Sequence, residues 1–486
     1  MMMRPSSVFT AGGLIICSIG AIKILSVSGY LNKDRRRPWD VEGHDKHEKQ
    51  SNSDSAESKD GVTEDPIQKK CIYLDYNGTT PIKKEVVNAM LPFLTTYFGN
   101  PSSSHAYGQT PKSAIKNARR EIASLLLSPD ERVDTELVEK VASGIVFTGC
   151  GTEADNMAIH LAIQAFKTNI SESGVPHIVT TNVEHPAIAQ YLQYLEQLNQ
   201  VTVTYVPVNS QGFVTSKAVI EALNSNTCLV TLMLANNETG ALMPVAEVSR
   251  ECRQRGVLCH TDAAQAVGKV PIYLKDSLGN VDMVTLVGHK FGAPKGVAAL
   301  YIRQECLGEA GRQSPSWFGS SGGLLLGGGQ EGGRRAGTEN VPYIVGMGKA
   351  AAMVASSLES DAVRMEALRQ RLYQNLIDLL GADCIRVNGP VDQNLRLPNT
   401  LSVSLRLVQS GNLLRDVGHE LAASAGAACH SNCGAGQISA VLNAMKVPMD
   451  FAPGTLRLSV GFGTTEDDVD QAAKIISREA KKQWNK

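Results

Sequence analysis

The sequence predicts an α/β fold: a large domain on a mostly parallel sheet with helices on both faces, and a second, smaller C-terminal α/β domain. Three observations carry this reading. From Cys71 onward, short apolar runs alternate with amphipathic stretches, the pattern of strand–helix crossovers. Polar clusters stand at the ends of those runs, where open α/β sheets bind ligands. After the Gly-rich stretch Gly319–Gly337, long helical patterns lead into a new strand-and-helix series from Asn399.

Residues 1–31 form a hydrophobic segment, largely apolar from Val8 to Leu31, interrupted by Lys23 and followed by Arg35-Arg36-Arg37. That run is long enough to span a bilayer, and the basic cluster after it favours the cytoplasmic side. Arg4 before it and the small residues Ser26-Val27-Ser28-Gly29 suit a cleavable signal or transit sequence equally well. Residues 32–69 are polar and rich in Ser, Asp and Lys; such a segment buries too little apolar surface to order itself and reads as a disordered linker. The folded part begins near Ile67.

Strands are expected at Gly144–Thr148, His177–Thr181, Val201–Val206, Cys228–Met233, Val257–Thr261, Met283–Leu286 and Val297–Ile302. Helices are expected between them at Thr152–Ala165, Pro186–Leu198, Ser216–Leu223 and Pro244–Arg255. Two more follow, at Val341–Ser357 and Val363–Leu380. The large domain thus covers residues 70–350 and the small one 351–486. At 486 residues, 43% hydrophobic, with a formal net charge of −1, the chain has no global basic field to attract nucleic acid. A small-molecule partner is the expectation. Its ten cysteines lack both CxxC pairing and the density of a disulfide scaffold, which suits a reducing compartment and a cytoplasmic catalytic part.

The chemistry gathers at strand ends. Lys290 follows the run Met283–Leu286, where a lysine can hold an aldehyde cofactor as a Schiff base; a lone surface lysine is the bland alternative. Asp262 ends another run and suits a protonated pyridinium nitrogen, or a simple helix cap. Gln265, three residues on, could reach a second polar edge of the same ring. In Gly149-Cys150-Gly151-Thr152-Glu153, glycines at a helix start let backbone N–H groups approach a phosphate. His185 opens the next helix and could stack flat on an aromatic cofactor. In Ser424-Ala-Gly-Ala-Ala-Cys429-His-Ser-Asn-Cys433, small residues lead into a cysteine that needs access and partial deprotonation to act as a nucleophile. A buried structural cysteine, or a zinc site of Cys429, His430 and Cys433, are the alternatives; the spacing matches no common zinc pattern, so no metal is expected.

Tyr73-Leu-Asp-Tyr-Asn-Gly-Thr-Thr-Pro81, Glu184-His185, Ala235-Asn-Asn-Glu-Thr-Gly240, His260-Thr-Asp-Ala-Ala-Gln265, Gly288-His-Lys290 and Arg335-Ala-Gly-Thr338 resemble, in order, the cysteine desulfurase and selenocysteine lyase family. The resemblance runs from about Ile72 to Val469 and implies fold type I of the pyridoxal 5'-phosphate enzymes, the aspartate-aminotransferase-like fold. It implies a homodimer with active sites near the subunit interface, an amino-acid substrate, and an acceptor protein for selenium or sulfur. By this resemblance Lys290 holds the cofactor, His185 stacks on it, and Asp262, Asn237 and Gln265 contact its ring. Gly151, Thr152 and His289 match the phosphate site, with Thr338 reaching the phosphate across the dimer. Arg457 matches the arginine that grips the substrate carboxylate, Asn77 lies in a substrate-contacting string, and Cys429 matches the chalcogen acceptor.

Two positions depart from the family pattern. Val287 stands where many desulfurases carry a phosphate-binding Ser or Thr, and Gly332 where an arginine is usual, with Arg334 a nearby substitute. Val287, the residues around Cys429 and Ala-Asn-Asn-Glu-Thr-Gly resemble the selenocysteine lyase branch more closely than the scaffold-linked desulfurases. The expected reaction is therefore removal of selenium from L-selenocysteine, with cysteine desulfuration as the alternative. A catalytically weak membrane-tethered scaffold and an aminotransferase are readings of other classes.

Overall fold

The computed structural model of the protein describes residues 71–169, 174–307, 323–425 and 438–485. The hydrophobic run 8–31, the linker 32–69 and the Cys429–Cys433 loop lie outside them.

The described chain opens with a two-residue strand, β1 (Ile72–Tyr73), then helices α1 (Lys84–Thr95), α2 (Ala106–Leu125) and α3 (Thr135–Ser143). Strand–helix alternation follows: β2 (Ile145–Thr148), α4 (Gly151–Asn169), β3 (His177–Thr181), α5 (Pro186–Gln197), β4 (Thr202–Val206), α6 (Ser216–Glu221), β5 (Thr227–Met233), α7 (Val245–Gln254), β6 (Leu258–Asp262), β7 (Met283–Val287) and β8 (Ala298–Ile302). Every strand expected from the sequence is present, shifted by one residue or less at its ends. The seven strands form one sheet in the order β2-β8-β7-β6-β5-β3-β4. Only β8 runs antiparallel, between β2 and β7.

Apolar residues fill both faces of the sheet, as a helix-covered parallel sheet requires. Val146, Ile178 and Leu229 pack on one side with α4 and α5. Their chain neighbours Phe147, Val179 and Val230 belong to the opposite core.

The structure corrects the expectation of two helices after the Gly-rich stretch. Residues Val341–Leu380 form a single helix, α8, of 40 residues. No Gly or Pro interrupts residues 349–380, and Ser357 Oγ donates to Asp361 Oδ2 at 2.8 Å across the expected break, one helical turn on. Ile344, Met347 and Val354 enter the core beneath the large sheet, whereas Leu368, Leu372 and Leu376 enter a separate C-terminal core. The boundary expected at residue 350 falls inside this helix. Among the described residues, α8 is also the one helix long and apolar enough to cross a membrane, and half of its apolar window is buried within the fold.

After α8 come β9 (Ile385–Val387), β10 (Thr400–Leu405), α9 (Ser410–Val417), β11 (Leu421–Ala422), α10 (Ala440–Ala444), β12 (Thr455–Ser459) and α11 (Glu466–Trp484). β10 is the centre of an antiparallel sheet, β12-β10-β9. β11 pairs in parallel with β1, and Ser459 N donates to Leu74 O at 2.8 Å. These contacts carry the segment Asp75–Gly78 to the carboxyl edge of the large sheet.

Candidate active site

At that edge the chain ends of β2, β3, β5, β6 and β7 deliver the polar residues singled out in the sequence. Asp262 is the last residue of β6, and Lys290 ends a single 3-10 turn after β7. Lys290 Nζ donates to the carbonyls of Asn77 (2.6 Å) and Gly78 (2.8 Å). Gln265 Nε2 donates to the same Asn77 carbonyl at 3.1 Å. Asn77 is 1% exposed: its Nδ2 donates to Thr400 Oγ1 at 2.8 Å, and its Oδ1 accepts from Asn399 Nδ2 at 3.0 Å. A motif from the start of the chain is thus locked between the lysine and the C-terminal sheet.

Asp262 is buried, accepting from Ala264 N at 2.8 Å. Burial raises its pKa, while the charges of His185 and Lys290 oppose that rise. Both basic groups therefore lie close enough to favour the carboxylate. His185 caps α5, its Nδ1 accepting from Ala187 N at 3.2 Å.

Behind Asp262 lies a buried polar cluster whose pairings the sequence did not show, although His260 opens the His260–Gln265 string. His260 accepts or donates at both ring nitrogens, to Thr231 Oγ1 (2.8 Å) and Thr285 Oγ1 (3.0 Å). Burial holds its pKa down to about 3, so the ring is neutral. Asp155 Oδ1 lies 3.9 Å from His260 Nε2 and has no hydrogen-bond partner. Burial, then the Asp262 charge, pushes the Asp155 carboxyl well above the usual range. Lys269 is another buried group missed in the sequence; its Nζ donates to Gln265 O at 2.9 Å. Burial, then Lys290 and Arg457, bring its pKa down to about 7.

The glycine turn after β2 opens α4, with Thr152 in its first turn. A Cβ at Gly151 would meet Val287 Cγ2 at 2.6 Å, so glycine is required for the helix start to approach the strand that carries Lys290. Val287, which lacks a hydroxyl, fills that contact with a methyl group. Glu153 holds the turn by accepting from Gly149 N at 2.7 Å, and pairs with Arg335 Nε at 2.8 Å. This ion pair ties the Arg335–Thr338 segment to the turn; Thr338 itself is exposed. His289 Nδ1 lies 3.1 Å from Thr79 Oγ1. Its pKa is held down to about 4 by burial and then by Lys290, leaving it neutral.

Gly332 has φ +67°, next to Glu331 at φ +51°, a conformation that favours glycine at 332. Arg334 donates from Nε to Glu331 O at 2.9 Å and from Nη2 to Ser143 O at 3.3 Å.

Arg457, on β12, is almost fully buried. Its Nη1 donates to Asn237 O at 3.1 Å and its Nη2 to Asp75 Oδ1 at 2.7 Å, while Nε has no hydrogen-bond partner. Asp75 was missed as a partner, although it lies in the Tyr73–Pro81 string. Ser424 pairs with Arg457 through the backbone, Arg457 N donating to Ser424 O at 2.7 Å. The root of the Cys429 loop is thereby joined to the arginine strand; Cys429 lies outside the described residues.

These residues fit pyridoxal 5'-phosphate. A buried carboxylate faces a lysine at one sheet edge, and a helix N-terminus approaches through a glycine that admits no Cβ. Fold and site together define a pyridoxal-phosphate enzyme of the aminotransferase type. The class-V aminotransferase family model matches residues 72–472. A cysteine desulfurase from Nostoc sp. is 41% identical over 406 residues, covering 83% of this chain and 92% of that protein. A selenocysteine lyase from Xenopus laevis is 41% identical over 431 residues, covering 84% and 94%. Among solved structures, a NifS-like protein superposes with a TM-score of 0.70 at 32% identity, covering 84% of this chain and 98% of its own. The chain belongs to the class-V aminotransferase family, within its cysteine desulfurase and selenocysteine lyase group. It is a pyridoxal-phosphate-dependent enzyme acting on a carbon–sulfur or carbon–selenium bond.

Proposed function

We propose that the enzyme removes selenium from L-selenocysteine, giving L-alanine and, once a thiol reductant supplies two electrons and is oxidised to its disulfide, selenide, with Lys290 as the cofactor lysine and proton carrier and Cys429 as the chalcogen acceptor. The observation that carries the site is the joining of Lys290 and Arg457 through Asn77 and Asn237 at the sheet edge where buried Asp262 lies close enough to feel the Lys290 charge. Bound pyridoxal phosphate supplies an aldehyde for the substrate amine and an electron sink for its α-carbon. Lys290 would hold that aldehyde, and its amine would carry a proton to and from the substrate α-carbon. Asp262 would hold a proton on the ring nitrogen, His185 would stack on the ring, and Gln265 and Asn237 would contact its polar edge. Gly151, Thr152 and neutral His289 would donate to the phosphate. Arg457 turns its guanidinium fork from Asp75 toward the substrate carboxylate, next to Asn77.

The choice of selenium rests on Val287 and on the Gly-Ala-Ala-Cys-His string around Cys429, together with the better leaving-group character of a selenol. The desulfurase from Nostoc sp., as similar to this chain as the lyase, supports the second reading, a desulfurase that leaves a persulfide on Cys429. A homodimer, with Thr338 reaching the partner's phosphate, is supported by the exposed apolar side chains Leu91, Leu94, Phe98 and Tyr107, which are 48–70% exposed, the rings of Phe98 and Tyr107 lying 5.8 Å apart. The large and small domains would then meet along α8.

Parallel initial rates on the two amino acids, with Cys429→Ala as control, test the substrate. Faster turnover of selenocysteine, with part of it surviving in the variant, is expected. Comparable turnover of cysteine that vanishes in the variant would make the enzyme a desulfurase.

A further inference from the structure

Away from the candidate active site, a cavity of about 280 Å³ opens between the C-terminal half of α8, β9 and the segment 391–401. Arg369, Tyr373, Gln393 and Arg396 line it, with Val387 and Leu401 as apolar walls. Arg369 is 3% and Arg396 9% exposed. Lysines and arginines this buried are ordinarily paired with acids. Here, among the described residues, no Asp or Glu lines the cavity. Arg369 reaches Gln393 Oε1 at 2.6 Å and the half-exposed Glu366 at 3.3 Å. The Nε atoms of both arginines are buried without a hydrogen-bond partner.

We propose that this cavity is an oxyanion site for a small phosphate monoester, held between the guanidinium groups of Arg369 and Arg396. Two buried positive charges match a phosphate dianion, and their planar forks offer it paired donors. Tyr373, Val387 and Leu401 leave an apolar wall for the ester's organic part. Burial, and then the neighbouring Arg396, hold Arg369 down to about 10, with Glu366 opposing; the site is electrostatically uncomfortable until an anion enters it. Arg396 also belongs to the segment whose neighbours pair with the Asn237 loop, Leu242 N donating to Leu395 O at 2.9 Å and Leu397 N to Gly240 O at 2.8 Å. The cavity therefore adjoins the backbone of the active-site loop while sharing none of its site residues.

The test is calorimetric titration of the cofactor-saturated enzyme with inorganic phosphate, against chloride at equal ionic strength. Saturating the cofactor keeps its own phosphate position filled. One saturable site per protomer is expected. Arg396→Gln should weaken binding by about tenfold or more, with cofactor absorbance unchanged, and Arg396→Lys should weaken it less. Heat no different from chloride, or equal phosphate affinity in wild type and both variants, overturns the proposal.

Discussion

Glu184 lies one residue before the ring-stacking candidate, with both carboxylate oxygens engaged: Oε1 accepts from Thr181 Oγ1 at 2.6 Å and Oε2 from Met233 N at 2.9 Å. Burial raises its pKa from 4.5 to about 8; the Thr181 bond opposes the rise and the Asp262 charge adds to it. Between those values the folded chain holds a proton that the unfolded chain has lost. Stability from this group is therefore present below pH 4.5 and is lost as pH rises through 8. Glu184→Gln keeps both bonds, its amide donating to Thr181 and accepting from Met233, and removes the titration. Urea midpoints of the apoenzyme from pH 5 to 8 should fall less steeply with pH in the variant than in wild type. Equal slopes would mean that Glu184 is ionised throughout. At this scale, Lys290, Asp262 and His185 were legible because each ends an apolar run and stands in a motif. The role of His260, although it opens the His260–Gln265 string, and the presence of Asp155 were not. The threonine partners of His260 sit on neighbouring strands, Thr231 directly opposite it on β5 and Thr285 on β7. Register between strands is not written in any one strand's string.

Among the elements, the strands of the large sheet were legible almost to the residue, since buried parallel strands read as uninterrupted apolar runs. α8 was misread because Leu358-Glu-Ser-Asp-Ala362 is polar enough to suggest a connection. In the fold this is the stretch where one helix leaves the first core for the other, and solvent-tolerant residues are what such a crossing demands. Ala362→Pro separates the two pictures. In a continuous helix it removes an N–H and clashes with the preceding turn, at a cost of about 3 kcal/mol. In a loop it would change stability by no more than about 0.5 kcal/mol. Equilibrium urea unfolding of the variant should give the larger loss.

At the scale of the whole molecule, the candidate site depends on segments far apart in sequence. Asn77 joins the N-terminal strand segment to Lys290, and through Thr400 and Asn399 to the C-terminal sheet. Arg457 extends this to Asp75 and to the root of the Cys429 loop. Motif order along the chain anticipated that these residues belong together, but not that Asn77 is their hub, because long-range packing decides it. The central claim is that Lys290 is the residue this framework presents to pyridoxal phosphate. Borohydride reduction of the holoenzyme, followed by peptide mapping by mass spectrometry, tests it most directly. A phosphopyridoxyl group on Lys290, and none in Lys290→Ala, is the predicted result. A tag on Lys269 or another lysine in the wild-type enzyme, or no incorporation at all, would contradict the account.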